Sequence, residues 1–334
     1  MSLYKSYENS LIDNVCSVLY TEHTFNYLEE RRMAKKCVVT VEGGLGKNVM
    51  FTAMLKELAK KYEKIYVLSP YFDVFKACPY VTDAFPMGQV STLYQQLCLS
   101  DDCDVLWKEP YTNQKFIKKQ VHLFDAWAEE LGITLSEKAM DMVPQISRYT
   151  ELPLVKPQTE ELLKQLNGQK FILIQLCGGQ SPLAPQLDKD GKLIPYNDHN
   201  EGLKRNYYRG QELVDLLKKT YTEHRILHFA LPNEPSYEGA DKVQAPYLVF
   251  HELCKHADKV VCTDSSLQHL ATGVCKDVTV IWGETRPEHF GYACNKNICA
   301  KNVMNSQPYF RPLGASPAFV DFPTPEEVLK VVKK

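Results

Sequence analysis

From residue 37 onward, short apolar runs alternate with stretches whose apolar residues recur at helical spacing, the pattern of βα units stacked into a parallel sheet. Residues 37–41 read as a buried strand, residues 48–62 as a helix and residues 64–68 as the next strand. Residues 104–107 predict a further strand. Residues 116–131 predict one amphipathic helix, with Ile117, Val121, Phe124, Trp127 and Leu131 on a single face. A second series follows: strand 171–176, helix 211–220, strand 225–230, helix 250–256, strand 260–263 and strand 278–282, with a short closing helix at 325–332. Between the two series, residues 143–158 hold Pro144, Pro153 and Pro157, where a helix cannot continue and a strand would lose donors. The expectation is an α/β chain with two Rossmann-like lobes facing a central cleft. It divides as an N-terminal extension 1–36, a first lobe 37–150, a second lobe 158–315 and a C-terminal segment 316–334. In the extension, Leu11, Ile12, Val15, Val18 and Leu19 form one amphipathic stretch suited to packing on the lobe that follows.

At 334 residues, two lobes can each bury an ordinary core. A formal net charge of −2 supplies no overall field of the kind that draws a protein onto nucleic acid or anionic lipid. The 11 cysteines are scattered and several lie inside apolar strands, which fits reduced core residues and a cytoplasmic setting better than a disulfide framework. Cys294 and Cys299 are separated by four residues with no matching histidine spacing, so no metal site is expected. No uninterrupted apolar run approaches the roughly 18 residues of a membrane span, and the N-terminus has no signal-peptide pattern. Integral membrane association is therefore not expected.

Four segments carry candidate chemistry, each at the carboxyl end of an expected strand, where open parallel sheets present ligands. The first is Gly43-Gly44-Leu45-Gly46-Lys47-Asn48. A P-loop would need glycine at Val41 and Ser or Thr at Asn48; a dinucleotide fingerprint would need glycine at Val49 and an acid where Ser69-Pro70 stand. What remains is a tight turn, or close backbone approach to an anionic ligand beside Lys47. The second is Gly178-Gly179, with Lys204-Arg205 downstream, where cations and aromatics suit either a diphosphate or a solvated basic face. The third is Glu234, either a ribose ligand or a surface acid. The fourth is Asp264-Ser265-Ser266-Leu267-Gln268-His269-Leu270-Ala271, followed by Gly283-Glu284-Thr285. Asp264 alone could be a helix cap and His269 alone an interior histidine, but together with the paired hydroxyls they describe an anion site at a helix start.

The fourth segment resembles the donor-site signature of the lipopolysaccharide heptosyltransferase family, in which an Asp-Ser/Thr-Gly-Leu-x-His-x-Ala run precedes a Gly-Pro-Thr turn. The similarity extends to the Gly44-Leu45-Gly46 turn, the Gly178-Gly179 loop and residues 204–208, and covers residues 37–330. It implies the glycosyltransferase B fold and metal-independent, inverting transfer from a nucleotide-diphosphate sugar, with no other cofactor. Ser265, Ser266 and Leu267 would then cradle the diphosphate and Asp264 hold sugar hydroxyls. Lys204 or Arg205 would offset leaving-group charge, Glu234 bind ribose, and His269 and Thr285 complete the pocket. Gly44, Gly46 and Lys47 would meet the acceptor, a glycan or glycolipid core. Three departures stand out. Lys47 occupies the position of the family's catalytic aspartate, Ser266 replaces the motif glycine, and Glu284 replaces the proline. The base must then come from elsewhere in the first lobe, with Glu42 or Asp73 as candidates. Other readings stay open: transfer to a hydroxylated base in DNA, with Lys47, Lys115, Lys118 and Lys119 on phosphates; a non-catalytic sugar-nucleotide binder that has lost its base; or an NAD-linked oxidoreductase.

Overall fold

The computed structural model describes residues 36–89, 97, 101–148, 152–178, 205–230, 234–301 and 320–334. The N-terminal amphipathic stretch, Gly179, residues 181–203 and Lys204 lie outside them.

The first lobe is built from β1 (Lys36–Thr40), α1 (Leu45–Leu58), β2 (Lys64–Leu68), α2 (Phe72–Lys76), β3 (Asp83–Phe85), β4 (Cys103–Trp107), α3 (Gln114–Ile117) and α4 (Leu123–Leu131). The second contains α5 (Val155–Leu166), β5 (Phe171–Gln175), α6 (Gly210–Thr220), β6 (Arg225–Phe229), β7 (Asp241–Val243) and α7 (Tyr247–Cys254). It continues through β8 (Lys259–Thr263), α8 (Ser266–Ala271), β9 (Val278–Trp282), α9 (Pro287–Phe290), β10 (Lys296–Cys299) and α10 (Pro325–Val332). The four-stranded sheet runs β3-β2-β1-β4 and the six-stranded sheet β10-β9-β8-β5-β6-β7, with every pairing parallel. In each sheet the winding direction reverses beside the lobe's first strand, between β1 and β4 and between β5 and β8. Those two crevices are where a doubly wound sheet opens toward ligands.

Both faces of the second sheet are covered, and β5 and β9 are buried at all five positions. Period-two alternation sends Leu173, Val260, Cys262 and Val280 to a core with α7 and α8, and Ile172, Ile174, Val261 and Ile281 to one with α6 and α10. Helix α1 shows little amphipathic stripe because it is buried on two sides. Met50, Phe51, Met54 and Leu55 pack on the first sheet, while Val49 joins the second lobe's core and α1 lies against α8. The reverse exchange places Tyr292 of the second lobe in the first lobe's core, where Ala293 N–H donates to Met140 O at 2.8 Å.

The helix expected over residues 116–131 is two helices. Lys119 adopts a left-handed backbone (φ 55°), and a new helix starts where the His122 ring accepts from Phe124 N–H while Asp125 accepts from His122 N–H. The linker also holds a helix that the prolines argued against. Pro157 sits in the first turn of α5, where amides have no intrahelical partner to lose. Helix α10 begins at Pro325 behind a Thr324–Glu327 capping box, as its sequence predicts, and packs Val328 and Val332 on the second sheet.

Candidate functional site

The site is assembled around the β5–β8 crevice. β5 ends in Gln175, a polar residue closing an apolar strand, and its Oε1 accepts from Leu267 N–H at 2.9 Å and from Ser266 Oγ at 3.4 Å. One side chain thus ties the end of β5 to the start of α8. The Leu267 amide, expected at a diphosphate, is occupied by this bond. Gly178 passes so near β8 that a Cβ there would stand 2.4 Å from the Asp264 carbonyl, and Gly178 N–H donates to Asn206 Oδ1 at 2.9 Å.

Asp264 follows β8 directly and is 4% exposed. A carboxylate so enclosed needs donors around it. Gln268 Nε2 donates to Oδ1 at 2.6 Å, Thr285 Oγ1 donates to Oδ2 at 2.6 Å, and Arg205 Nη1 stands 3.7 Å from Oδ2. The two strand-end turns predicted from sequence therefore meet at one carboxylate. Around it, Thr263 Oγ1, Ser265 Oγ and Gln268 Oε1 are buried without an oxygen or nitrogen partner. Unsatisfied polar atoms grouped in one turn call for a ligand or water. Glu234, after β6, is buried near Cys177, whose thiol is pushed up to about 12 by burial and, next, by the Glu234 charge.

His269 is an interior group. Burial, with the Arg205 charge second, pushes it down to about 3, so the ring is neutral at physiological pH. Its Nδ1 meets Tyr292 Oη at 2.8 Å. Its other edge touches the first lobe, where a Cβ on Gly46 would stand 2.7 Å from His269 Cδ2 and 3.8 Å from Ser266 Cα. Gly46 is thus the point at which the glycine turn meets the start of α8, and any larger residue would push the lobes apart.

On the first-lobe side, Gly43 takes φ +94°, and Gly44 precedes α1 with open space where a side chain would be. Asn48 Nδ2 donates to the carbonyls of Gly43 and Gly44, and its Oδ1 accepts from Ser69 Oγ, locking the turn. Asn48 and Ser69 thus serve the turn itself, at the two places where nucleotide-binding loops would need other residues. Lys47 is 8% exposed and its ammonium meets Glu109 Oε2 at 2.6 Å, 4.9 Å from the centre of the Tyr111 ring. Glu109 is held as well, since its Oε1 accepts from Tyr111 N–H. The Tyr111 phenol is pushed up by burial and lies near enough to Arg205 and Asp264 to feel both charges. Tyr111 therefore connects the two crevices, and no local sequence signal marks it. Glu42 is exposed at the end of β1. Asp73, on α2, is pushed up by burial and sits beside Tyr247 of the second lobe, whose phenol its charge helps to raise. Lys115, offered above to phosphates, is paired with Glu129 at 3.0 Å. Among the described residues, no three His, Cys, Asp or Glu side chains gather as a metal site, and no helix is long and apolar enough to cross a membrane.

Residues 248–313, which contain Asp264, His269 and Thr285, match glycosyltransferase family 9 (heptosyltransferase). The chain thus resembles heptosyltransferases over the segment that holds the site. Its fold agrees: a glycosyltransferase family 9 structure from Veillonella parvula DSM 2008 superposes with a TM-score of 0.60 at 13% identity, over 90% of this chain and 96% of the other. An E. coli ADP-heptose lps heptosyltransferase II gives 0.52 at 14% identity, over 89% and 97%. No curated protein matches this chain in sequence.

Proposed function

We propose that this protein moves a sugar from a nucleoside-diphosphate donor, held in the β5–β8 crevice, to a hydroxyl of a glycan or glycolipid core presented by the first lobe. The observation that carries this reading is the enclosed Asp264 carboxylate, with Gln268, Thr285 and Arg205 around it and partnerless polar atoms beside it. Asp264 and Thr285 would order sugar hydroxyls, the Ser265 and Ser266 amides would receive the diphosphate, Glu234 would take the ribose, and Arg205 would offset charge on the departing group. In this reading the reaction needs no metal and inverts the anomeric centre. Lys47 is engaged with Glu109 and Glu109 with Lys47 and Tyr111, which supports Glu42, exposed beside the glycine turn, as the base. Asp73 packs instead toward Tyr247. The buried positions of most described cysteines support action in the reducing cytoplasm.

Thermal shift with ADP, UDP, GDP and CMP, followed by transfer assays with the matching sugar nucleotides, tests the assignment. The expected result is protection by one nucleotide and turnover that survives EDTA. Protection by NAD with none from any of these nucleotides would overturn it, and loss of turnover in EDTA would overturn metal independence.

A further inference from the structure

We propose that Gln268 is a positioning residue for transfer: its side-chain amide holds the Asp264 carboxylate in the orientation in which it grips the departing sugar. This rests on the reading above that Asp264 orders sugar hydroxyls.

Ser265-Ser266-Leu267-Gln268 has the Ser-x-x-Gln spacing of a capping box, in which the serine accepts from the fourth residue's amide and the glutamine reaches back to the serine's amide. Two helices of this chain close such a box, α4 with His122 and Asp125 and α10 with Thr324 and Glu327. Helix α8 does not. Ser265 makes no side-chain cap bond, and both its Oγ and Gln268 Oε1, the atom that would meet the Ser265 amide, are buried without an oxygen or nitrogen partner. The Leu267 amide is met from β5 by Gln175 instead. A sequence fit to cap its own helix has thus turned its glutamine elsewhere.

Gln268 is 0% exposed, and its Nε2 donates to Asp264 Oδ1 at 2.6 Å. The reversed amide would set oxygen against carboxylate oxygen, acceptor against acceptor, so chemistry fixes the orientation. The second hydrogen on Nε2 faces His269 Nε2 at 3.5 Å, which must then accept. The neutral ring carries its proton on Nδ1, which donates to Tyr292 Oη at 2.8 Å. Asp264 is in this way anchored through one amide to the core that joins the lobes. Thr285 Oγ1 and Arg205 Nη1 stand at Oδ2, whereas on Oδ1 the donor among the described residues is Gln268. Its removal would leave an enclosed carboxylate oxygen short of a partner and the carboxylate able to turn from its ligand. The donor-site signature leaves position 268 unspecified, so this anchor is a feature of the chain itself.

The test compares Gln268→Met, which keeps the bulk and removes the donor, with Gln268→Glu, which keeps the shape and sets a second carboxyl beside Asp264. Two facing carboxyls share a proton at low pH, restoring a donor, and repel once both are ionised. The charged and titratable groups facing the pair are Arg205, Tyr111, Cys262, His269 and Tyr292. All are common to wild type and variants, so their titration cancels in each ratio. Calorimetry of the full chain uses ADP-heptose, UDP-glucose and GDP-mannose, and separately ADP, UDP and GDP. Gln268→Met should raise the Kd of the sugar nucleotide that the wild type binds roughly tenfold, with the Kd of the nucleotide alone within about twofold. Gln268→Glu should match the wild type near about pH 5.5 and fall roughly tenfold behind near about pH 8.5, its melting temperature relative to wild type falling over the same range. Unchanged sugar-nucleotide affinity in Gln268→Met, equal weakening of nucleotide and sugar nucleotide, or a Gln268→Glu ratio flat with pH would overturn the proposal. Asp264→Asn separates it from the reading beneath. Loss of affinity there with none in Gln268→Met condemns the role of Gln268 alone, whereas wild-type affinity in Asp264→Asn sinks the donor reading and the proposal with it.

Discussion

The two lobes share a winding scheme and differ in how they meet a ligand. At the end of β8, Asp264 is surrounded by donors while Thr263, Ser265 and Gln268 keep buried polar atoms without an oxygen or nitrogen partner. At the end of β1, the corresponding groups satisfy one another: Lys47 with Glu109, and Asn48 with Ser69 and the glycine carbonyls. The second lobe keeps unsatisfied polar atoms around its carboxylate, whereas the first presents a self-locked floor from which, among the described residues of the turn, Glu42 and its exposed neighbours project. The transfer proposed above would use this division, with preorganised groups at a leaving diphosphate and a simpler arrangement at the attacking hydroxyl.

The largest expected effect that would sharpen the contrast is acid sensitivity. Burial pushes His122 and His228 down to about 4, and His251 and His269 down to about 3. Each folded value lies below the unfolded 6.5, so the unfolded chain binds more protons as pH falls. Their contribution is intact above about pH 6.5 and is lost as pH drops toward 4, by up to about 1.4 kcal/mol per pH unit for each ring. Three of the four rings belong to the second lobe, so the near-ultraviolet signal of Trp282 should fade before that of Trp127; the opposite order would break the comparison. Next, Asp264→Ala should lower turnover roughly 10³-fold with circular dichroism unchanged, and near-normal turnover would remove the donor pocket from the second lobe. Glu42→Gln should cost about 10²-fold in kcat with donor KM unchanged; a wild-type rate would return the search to Asp73. Gly178→Ala, whose Cβ would collide with the Asp264 carbonyl, should destabilise by about 1–3 kcal/mol in urea unfolding. Gly44→Ala, which meets nothing, should stay within about 0.5 kcal/mol.

Much of this was legible along the chain because parallel strands buried on both faces write continuous apolar runs, and all the central strands were found that way. The small flanking strands β3, β7 and β10 carry too few apolar residues to stand out. The helix over residues 116–131 failed as one element because its apolar spacing continues across a backbone break that only Lys119 and the His122 cap reveal. At the site, Asp264 and Thr285 were both singled out from sequence, and their side chains touch. Lys47 was expected at a ligand and is taken by a glutamate 62 positions away. Gln175 left a readable trace as the polar end of an apolar strand, whereas Tyr111 left none.

By itself, the order of residues determined the alternation of strand and helix, the glycine turns at strand ends and the acid-hydroxyl-histidine run before a buried strand. These are local properties, set by periodicity and by which backbone positions tolerate a side chain. Only the tertiary structure decided that Gln175 occupies the Leu267 amide, that Glu109 neutralises Lys47 and that Gly46 meets His269 across the lobes. Those outcomes depend on strand order and on the packing of α1 against α8, which bring distant residues within bonding range and which no local pattern encodes.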